Sequence, residues 1–205
     1  RCGCSSRVAR ALTCSNSPRL FRLPRVGAEL RPPARCYWIT GIPAAGKTTL
    51  AHALSDALRQ IGAPALIVDG DELRQGLCRD LDLSDAARIE NIRRAGEIAH
   101  LALQSGISAI CSLVSPFRGA REAVRERIGA ERFVEIYLST PVAECARRDP
   151  KGLYARALTA THSGLTGFDA PYEPPASPDW VFDTTDQSAD ALALTVIRPL
   201  RTSLC

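Results

Sequence analysis

This chain of 205 residues has no methionine, and its 26 basic residues include only two lysines, Lys47 and Lys151. It also has no apolar run that approaches the roughly 18 residues needed to cross a bilayer. The missing run argues against a membrane-spanning helix, and the missing methionine predicts a processed chain or a fragment. A lysine at position 47, in a chain that otherwise uses arginine, indicates that a compact ammonium group is required there.

The eight cysteines form no CxxC pair and show no spacing with histidine that is typical of a metal site. Several stand in apolar segments, where a free thiol behaves as a small hydrophobic side chain. This pattern predicts reduced thiols and a cytoplasmic protein.

Charge is divided unevenly along the chain. Residues 1–35 contain eight arginines and a single acid, whereas the rest contains 18 basic and 21 acidic residues, so the amino-terminal segment accounts for the net charge of +4. The remainder is slightly acidic, which argues against a nucleic-acid-binding surface. Its length and the 45% hydrophobic content suit one well-buried domain with appendages.

Residues 1–34 are rich in Arg, Ser and Pro, and we expect them to be largely disordered. Three origins remain open for this segment: a transit peptide for a plastid or another organelle, a linker from a longer fused polypeptide, or a translated upstream stretch. The folded domain is expected to cover residues 35–205.

The segment from Gly41 to Thr48 reads Gly-Ile-Pro-Ala-Ala-Gly-Lys-Thr and lies between an apolar run and a helix-like run. Glycines at both ends allow a tight turn whose N–H groups face phosphate oxygens, and the following helix adds its positive end. Lys47 is expected to reach the β- and γ-phosphates of ATP, and the Thr48 hydroxyl to ligate Mg²⁺. A chance Gly/Ala-rich turn is the alternative, but strand, loop and helix follow in the required order. The predicted ATP-binding residues here are Gly41, Ile42, Pro43, Ala44, Ala45, Gly46, Lys47, Thr48 and Thr49.

Apolar strand-like runs alternate with helical patterns from residue 35 onward, which is typical of a parallel sheet covered by helices. We therefore predict the α/β fold of P-loop NTPases, with three layers and a mainly parallel sheet of five strands. Strands are expected near 36–40, 64–69, 107–113, 132–138 and 179–183. Helices are expected near 47–61, 71–79, 85–105, 118–128, 141–147 and 187–198. Residues 149–177 are rich in Gly and Pro, and are predicted to form a lid loop. One apolar face of the third helix is predicted to consist of Ile89, Ile92, Ala95, Gly96 and Ala99.

Two carboxylates, Asp69 and Asp71, end the second predicted strand. Ligands of open parallel sheets bind beyond the carboxyl ends of the strands, which places both acids beside the phosphate loop. One carboxylate can accept the proton of an attacking hydroxyl while the other holds Mg²⁺ or its waters. A second role, compatible with the first, is that Asp71 caps the helix that follows.

A group of anion-binding side chains, four arginines and one amide, comes next: Arg74, Arg88, Asn91, Arg93 and Arg94. Arginine side chains suit the bidentate capture of phosphate or sulfate, and Arg88 and Asn91 lie one helical turn apart. The alternative is a set of solvated helix charges, in which Arg88 pairs with Glu90, and Arg93 or Arg94 pairs with Glu97. Ser115-Pro116-Phe117-Arg118 follows the third strand at the same edge and supplies a hydroxyl and a further cation, although Arg118 alone could be a surface residue.

With these residues the chain resembles the adenylylsulfate kinase (APS kinase) family of P-loop kinases, from about Tyr37 to Asp186. The matching strings are Gly-Ile-Pro-Ala-Ala-Gly-Lys-Thr-Thr-Leu-Ala (41–51), Asp-Gly-Asp-Glu-Leu-Arg-Gln-Gly-Leu (69–77), Arg-Ile-Glu-Asn-Ile-Arg-Arg (88–94), Ser-Pro-Phe-Arg (115–118), Arg-Asp-Pro-Lys-Gly-Leu-Tyr (148–154) and Thr-Gly-Phe-Asp-Ala-Pro-Tyr-Glu (166–173). The resemblance implies transfer of the γ-phosphate of ATP to the 3′-hydroxyl of adenosine 5′-phosphosulfate (APS), which yields PAPS and ADP in sulfate activation.

The resemblance also implies roles for individual residues. Asp69 would be the general base and, with Thr48, a Mg²⁺ ligand; Lys47 would also be catalytic; and Ser115 stands where family descriptions place a phosphorylated serine intermediate. The implied APS-binding residues are Asp71, Arg74, Leu83, Arg88, Asn91, Val114, Ser115 and Leu165. Arg148 and Lys151, at the start of the lid, would contact ATP. A homodimer and a fusion or association with ATP sulfurylase are further implications.

Two departures from the family pattern concern the adenine of APS. Leu83 and Leu165 stand where family members usually carry phenylalanines that sandwich the base. Base–aromatic stacking contributes about 1–3 kcal/mol per base, so we expect APS binding to weaken by roughly one to two powers of ten. Cys78 replaces a usual Asn, and residues 155–158 carry fewer cations than the usual lid. These departures leave two alternatives open: a catalytically weak nucleotide-binding module of a sulfate-activating complex, or a P-loop kinase for another small hydroxyl substrate.

Overall fold

The structure, a computed structural model, describes residues 32–160 and 163–202. Its strands are β1 (Cys36–Gly41), β2 (Ala65–Asp69), β3 (Ser108–Ser112), β4 (Phe133–Leu138) and β5 (Trp180–Phe182). Its α-helices are α1 (Lys47–Gln60), α2 (Gly70–Gln75), α3 (Asp85–Gln104), α4 (Arg118–Ile128), α5 (Val142–Arg148), α6 (Leu153–Thr159) and α7 (Ala189–Thr202). A short 3₁₀ helix, Ala130–Arg132, precedes β4.

The five strands form one sheet in the order β2-β3-β1-β4-β5, and every neighbouring pair is parallel. This arrangement confirms the predicted α/β fold. All carboxyl ends therefore lie at one edge, where Gly41, Asp69, Ser112 and Leu138 end four of the strands. The phosphate loop leaves the middle strand, so the loops that follow β2 and β3 lie to one side of it and those that follow β4 and β5 lie to the other.

Both faces of the sheet are covered because its central strands are apolar on both sides; every residue of β1 is buried. Tyr37 and Ile39 belong to a core with α1 and α7, whereas Cys36 and Trp38 belong to a core with α3 and α4. Helices α3 and α4 approach closely at Gly96, where a Cβ would lie 2.8 Å from a methyl carbon of Val124. The result is the predicted three-layer sandwich.

Three expectations about local structure need correction. Helix α2 ends at Gln75 rather than near 79, because Gly76 leaves the helical region of backbone angles and the Cys78 amide then donates to the Leu73 carbonyl. The predicted lid loop contains helix α6, whose first amides donate to the Asp149 carboxylate. Ile89 is 46% exposed and does not share the buried face of α3.

Cysteines 36, 78, 111 and 145 are free thiols and are buried, as expected of small hydrophobic side chains. In residues 32–160 and 163–202, no helix combines the length and apolar character that a membrane crossing requires. The predicted disorder of residues 1–34 concerns a segment that lies, apart from residues 32–34, outside the described residues.

Candidate active site

The phosphate loop is shaped by close packing at its base. Gly41 has φ of +152°, and a Cβ there would lie 2.8 Å from the Leu138 carbonyl oxygen, so this position requires glycine. Lys47 begins helix α1, and its Nζ donates to the Ile42 carbonyl over 2.8 Å. Burial lowers the pKa of Lys47 to about 8. The hydrogen bond to Ile42 holds the ammonium over the loop, at the positive end of a helix of 14 residues.

Asp69 connects the end of β2 to both the phosphate loop and α2. Its Oδ2 accepts a hydrogen bond from the Thr48 hydroxyl over 2.8 Å, and its Oδ1 accepts one from the Asp71 amide over 2.9 Å. Asp69 is thus the cap of helix α2, and the expectation that Asp71 has this role is wrong. The reason is that the helix begins one residue earlier, at Gly70, so the residue before it supplies the cap.

Asp71 instead faces the predicted lid, where its carboxylate accepts a hydrogen bond from Lys151 and forms an ion pair with it. Both side chains are more than half exposed. The contact joins Lys151, two residues before α6, to the start of α2, beside Asp69. An exposed pair of this kind contributes little stability, so it can open at small cost.

Arg148, at the end of α5, is held by Thr184, which follows β5. Its Nη1 donates to the Thr184 hydroxyl and its Nη2 to the Thr184 carbonyl, both over 2.7 Å, while its Nε pairs with Glu144. The Thr184 hydroxyl also donates to the Ala45 carbonyl of the phosphate loop over 3.0 Å. Thr184 therefore fixes the phosphate loop and Arg148 relative to each other.

Arg74 and Arg88 converge near the turn before α3. Arg74 donates to the Asp82 carbonyl over 2.9 Å, and Arg88 donates to the Leu83 carbonyl over 2.8 Å. Arg88 also donates to the Gly164 carbonyl over 2.7 Å and to the Thr166 hydroxyl. Burial and the neighbouring Arg74 lower the pKa of Arg88. These two like charges lie together with carbonyls and a hydroxyl as their acceptors, an arrangement that suits an anionic ligand.

Asn91 lies one turn further along α3 and is 7% exposed. Its Oδ1 has no hydrogen-bond partner among the described residues. A buried polar atom without a partner is uncommon in native proteins and costs free energy. Asn91 lies on the same helix as Arg88, and its Oδ1 is available to accept a hydrogen bond from a ligand.

The other charges of α3 form surface pairs, and the pairing predicted for them is wrong. Glu90 pairs with Arg93 and Arg94 rather than with Arg88, and Arg94 also binds Asp80. Glu97 pairs with Arg127 of α4. Glu90 finds its partners on α3 itself, three and four residues further on. Asp80 and Arg127 come from other segments, which spacing along one helix does not reveal.

Ser115 is buried, at 3% exposure, and has φ of +39°. Its hydroxyl donates to Thr40 Oγ1 over 2.9 Å and accepts from the Trp38 indole N–H over 3.1 Å. The Val114 carbonyl accepts from Thr40 Oγ1 over 2.8 Å. The Ser115 hydroxyl and the Val114 carbonyl thus join the loop after β3 to β1 by hydrogen bonds.

Leu83 and Leu165 are in different environments. Leu83 is 63% exposed, on the turn before α3, whereas Leu165 is 9% exposed and packs in the core that includes α1 and α7. The Leu83 carbonyl and the carbonyl next to Leu165, that of Gly164, both bind Arg88. The backbone at the two leucines is therefore joined through Arg88, but the side chain of Leu83 is accessible to a ligand whereas that of Leu165 is buried.

Two residues of this region, Thr184 and Arg121, were missed by sequence reasoning. Thr184 lies at the carboxyl end of β5, where parallel sheets place ligand-binding residues, and this position in the sequence could have indicated its role. Arg121 lies one turn after Arg118 on α4, and nothing in its spacing distinguishes it from the other arginines of that helix.

Comparison with known proteins identifies the family of this chain. The family model for adenylylsulphate kinase matches residues 34–183. The bifunctional enzyme NodQ of Azospirillum brasilense is 46% identical over 163 residues, which cover 80% of this chain and 26% of NodQ. This chain thus spans about a quarter of the length of that relative.

Among solved structures, the APS kinase CysC of Mycobacterium tuberculosis, in complex with AMPPNP and APS, is 38% identical with a TM-score of 0.74; the match covers 83% of this chain and 99% of that one. A hexameric APS kinase from Thiobacillus denitrificans is 29% identical with a TM-score of 0.64, over 84% of this chain and 30% of that one. The match to the family model over most of the folded domain, and the nearly complete coverage of CysC, place this chain in the adenylylsulfate kinase family.

Proposed function

We propose that this protein transfers the γ-phosphate of ATP to the 3′-hydroxyl of APS, yielding PAPS and ADP. The observation that carries the proposal is the meeting of Lys47, Thr48 and Asp69 at one sheet edge in a chain of this family. Phosphoryl transfer depends on positioning and on stabilising charge, and these residues supply a cation, a metal-ligand hydroxyl and a carboxylate.

The ATP side of the site consists of the loop 41–49 together with Arg148. Lys47 binds the β- and γ-phosphates once its ammonium exchanges the Ile42 carbonyl for phosphate oxygens. The Thr48 hydroxyl and Asp69 Oδ2, 2.8 Å apart, are hard oxygen donors that fit Mg²⁺ together with phosphate oxygens and water. When bound, Mg²⁺ neutralises developing charge on the phosphates. Asp69 accepts the proton of the attacking hydroxyl.

The APS side consists of Asp71, Arg74, Arg88 and Asn91, with the backbone of Val114 and Ser115. Arg74 and Arg88 bind the phosphosulfate anion, and the unpaired Oδ1 of Asn91 accepts a hydrogen bond from the substrate. Leu83 contacts the adenine from the exposed side, whereas Leu165 supports the opposite wall from the core. An aliphatic contact of this kind is weaker than an aromatic stack, and the predicted loss of APS affinity follows from it.

Ser115 contributes its backbone and the position of its loop. Its hydroxyl is buried and has hydrogen bonds to Thr40 and Trp38, an environment that supports a structural role better than a covalent phosphoserine intermediate. In-line transfer between two bound nucleotides needs no nucleophile from the protein.

The lid, residues 149–177, closes over the nucleotides. Lys151 releases Asp71 and contacts the phosphates of ATP, while Arg148 stays held by Thr184. Exchange of an exposed ion pair for phosphate contacts favours the closed state only when ATP is present.

Four buried free thiols among the described residues suit a reducing compartment such as the cytosol, with a plastid as the alternative. A homodimer, and a fusion or association with ATP sulfurylase, stay predictions that light scattering of the protein alone and mixed with ATP sulfurylase can test.

A coupled assay of ADP release, with ATP, Mg²⁺ and APS, tests the proposed reaction. We expect ADP release that depends on APS and that is lost in Asp69→Asn. Nucleotide binding without turnover would support the weak binding module instead. Turnover with another hydroxyl compound, and none with APS, would support a kinase for a different substrate.

A further inference from the structure

Arg121 of helix α4 is a charged residue buried almost completely, at 2% exposure. Its Nε donates to Glu135 Oε1 over 2.9 Å, its Nη1 to the Ser115 carbonyl over 2.6 Å and its Nη2 to the Glu173 carbonyl over 2.7 Å. All three nitrogens of the guanidinium thus have an acceptor. A planar group with donors in fixed directions holds these acceptors in a fixed relation to one another.

The two carbonyls come from segments that are far apart in sequence. Ser115 belongs to the loop after β3, and Glu173 to the C-terminal end of the lid, residues 149–177. The segments are also joined directly, because the Glu173 amide donates to the Pro116 carbonyl over 2.9 Å and a Glu173 carboxylate oxygen accepts from the Arg118 amide over 2.7 Å. Arg121 lies beneath this junction and binds both sides of it.

The loop on one side of the junction has an unusual backbone. Ser115 has φ of +39°, in the left-handed region that residues with a side chain seldom adopt. Such a conformation persists where its surroundings determine it. The bond from Arg121 to the Ser115 carbonyl, and the bonds of the Ser115 hydroxyl to Thr40 and Trp38, are the contacts that hold it.

The charge of Arg121 is balanced inside the protein rather than by solvent. Glu135 of β4 is 7% exposed and pairs with both Arg121 and Arg125. The Glu135 amide donates to Asp179, which precedes β5. A buried ion pair of this kind contributes little to stability by itself, so the ion pair alone does not account for the three directed hydrogen bonds of Arg121.

We propose that Arg121 is a positioning residue for APS. It aligns the Val114–Ser115 backbone with the C-terminal end of the lid at Glu173. This backbone forms one wall of the APS site, and the wall is then in place before the substrate binds. The inference rests on the proposed function, because it assigns APS to that wall. Arg121 does not touch the phosphate loop, so ATP binding is expected to be independent of it.

The test compares Arg121→Lys with Arg125→Lys in the full chain. Lysine at position 121 keeps a positive charge for Glu135 but cannot bind both carbonyls at once, because its donors radiate from one nitrogen. Arg125 pairs with the same Glu135 and contacts neither Ser115 nor Glu173 in the described structure, which makes it the matched control. We expect Arg121→Lys to raise the KM for APS about tenfold while the KM for ATP stays within twofold, and Arg125→Lys to leave both within twofold.

A second measurement does not depend on activity. Hydrogen exchange followed by mass spectrometry reports the protection of residues 114–118 and 170–176. Arg121→Lys is expected to speed exchange in both segments, and Arg125→Lys in neither. Equal changes in the KM values for APS and ATP, or unchanged exchange in Arg121→Lys, would overturn the inference. Wild-type protein without APS-dependent turnover would instead overturn the proposed function, and the exchange result would still decide the role of Arg121 at the junction.

Discussion

The hydroxyl of Thr48 donates to Asp69 Oδ2 over 2.8 Å, which joins the first turn of α1 to the end of β2. The other oxygen of Asp69 caps helix α2 through the Asp71 amide. One carboxylate therefore has a structural oxygen and an oxygen that faces the phosphate loop. This division allows the chemical role of Asp69 to be separated from its structural role.

Asp69→Asn is expected to preserve the cap and to remove the carboxylate charge that accepts the proton and helps to hold Mg²⁺. Asparagine caps helices about as well as aspartate, so the melting temperature should stay close to that of the wild type. Turnover with APS should fall about 10²- to 10⁴-fold, the usual contribution of a general base. Glu72→Gln, an exposed change of the same kind on the same helix, is the control and should leave turnover within twofold. An active Asp69→Asn variant would contradict the assignment of the base.

The affinity for ATP is expected to fall as the pH rises above about 8. Burial lowers the pKa of Lys47 to about 8, so the ammonium is present below that pH and is lost from the free protein above it. A bound triphosphate favours the charged form, and affinity should then decrease by up to about tenfold per pH unit. Calorimetry with a non-hydrolysable ATP analogue across this range measures the effect.

Two residues near Lys47 that could also lose a proton at high pH have raised pKa values. Burial raises the pKa of Cys145, and burial also raises the pKa of Tyr154 to about 12. Lys47→Met should bind ATP weakly and without this pH dependence. A wild-type affinity that is constant across the range would show that the ammonium of Lys47 is not required.

Asn91→Leu is expected to stabilise the protein and impair APS binding. The Oδ1 of Asn91 is buried without a partner among the described residues, and an unsatisfied buried group costs about 1–3 kcal/mol. Leucine has a similar volume and removes this cost, so the melting temperature should rise by a few degrees. The KM for APS should rise at least about tenfold because the substrate loses an acceptor. Differential scanning fluorimetry and steady-state kinetics test both effects, and a lower melting temperature with an unchanged KM would contradict the assignment.

Thr184→Val is expected to weaken ATP binding without affecting APS. The change removes the hydroxyl that binds the Ala45 carbonyl, Arg148 Nη1 and the Thr140 hydroxyl. Loss of the first two bonds, which reach the phosphate loop and Arg148, corresponds to about a tenfold rise in the KM for ATP. Thr184→Ser keeps the hydroxyl and should restore the wild-type value. Thr185→Val, next in the chain, removes a hydroxyl that binds Asp183 and serves as the control. If Thr184→Val and Thr185→Val have equal effects, Thr184 does not position the phosphate loop.

The strands and the main helices were predictable because they depend on local pattern. The alternation of apolar strands with helices, and the spacing of glycines from Gly41 to Gly46, are determined by backbone geometry over a few residues. Helix α6 was not predicted, because the Gly and Pro residues around it outweighed the signals of Tyr154 and Ala157, which become apolar anchors only when the core covers them.

The sequence by itself determined the sheet, the phosphate loop and the identity of the residues that follow each strand, since these depend on neighbours along the chain. Only the tertiary structure decided which charges meet, as in the pair of Lys151 with Asp71 and the three acceptors of Arg121. It also decided that Leu83 is exposed while Leu165 is buried. The physical reason is that burial and ion pairing depend on side chains brought together from distant segments, and spacing along the chain does not specify them.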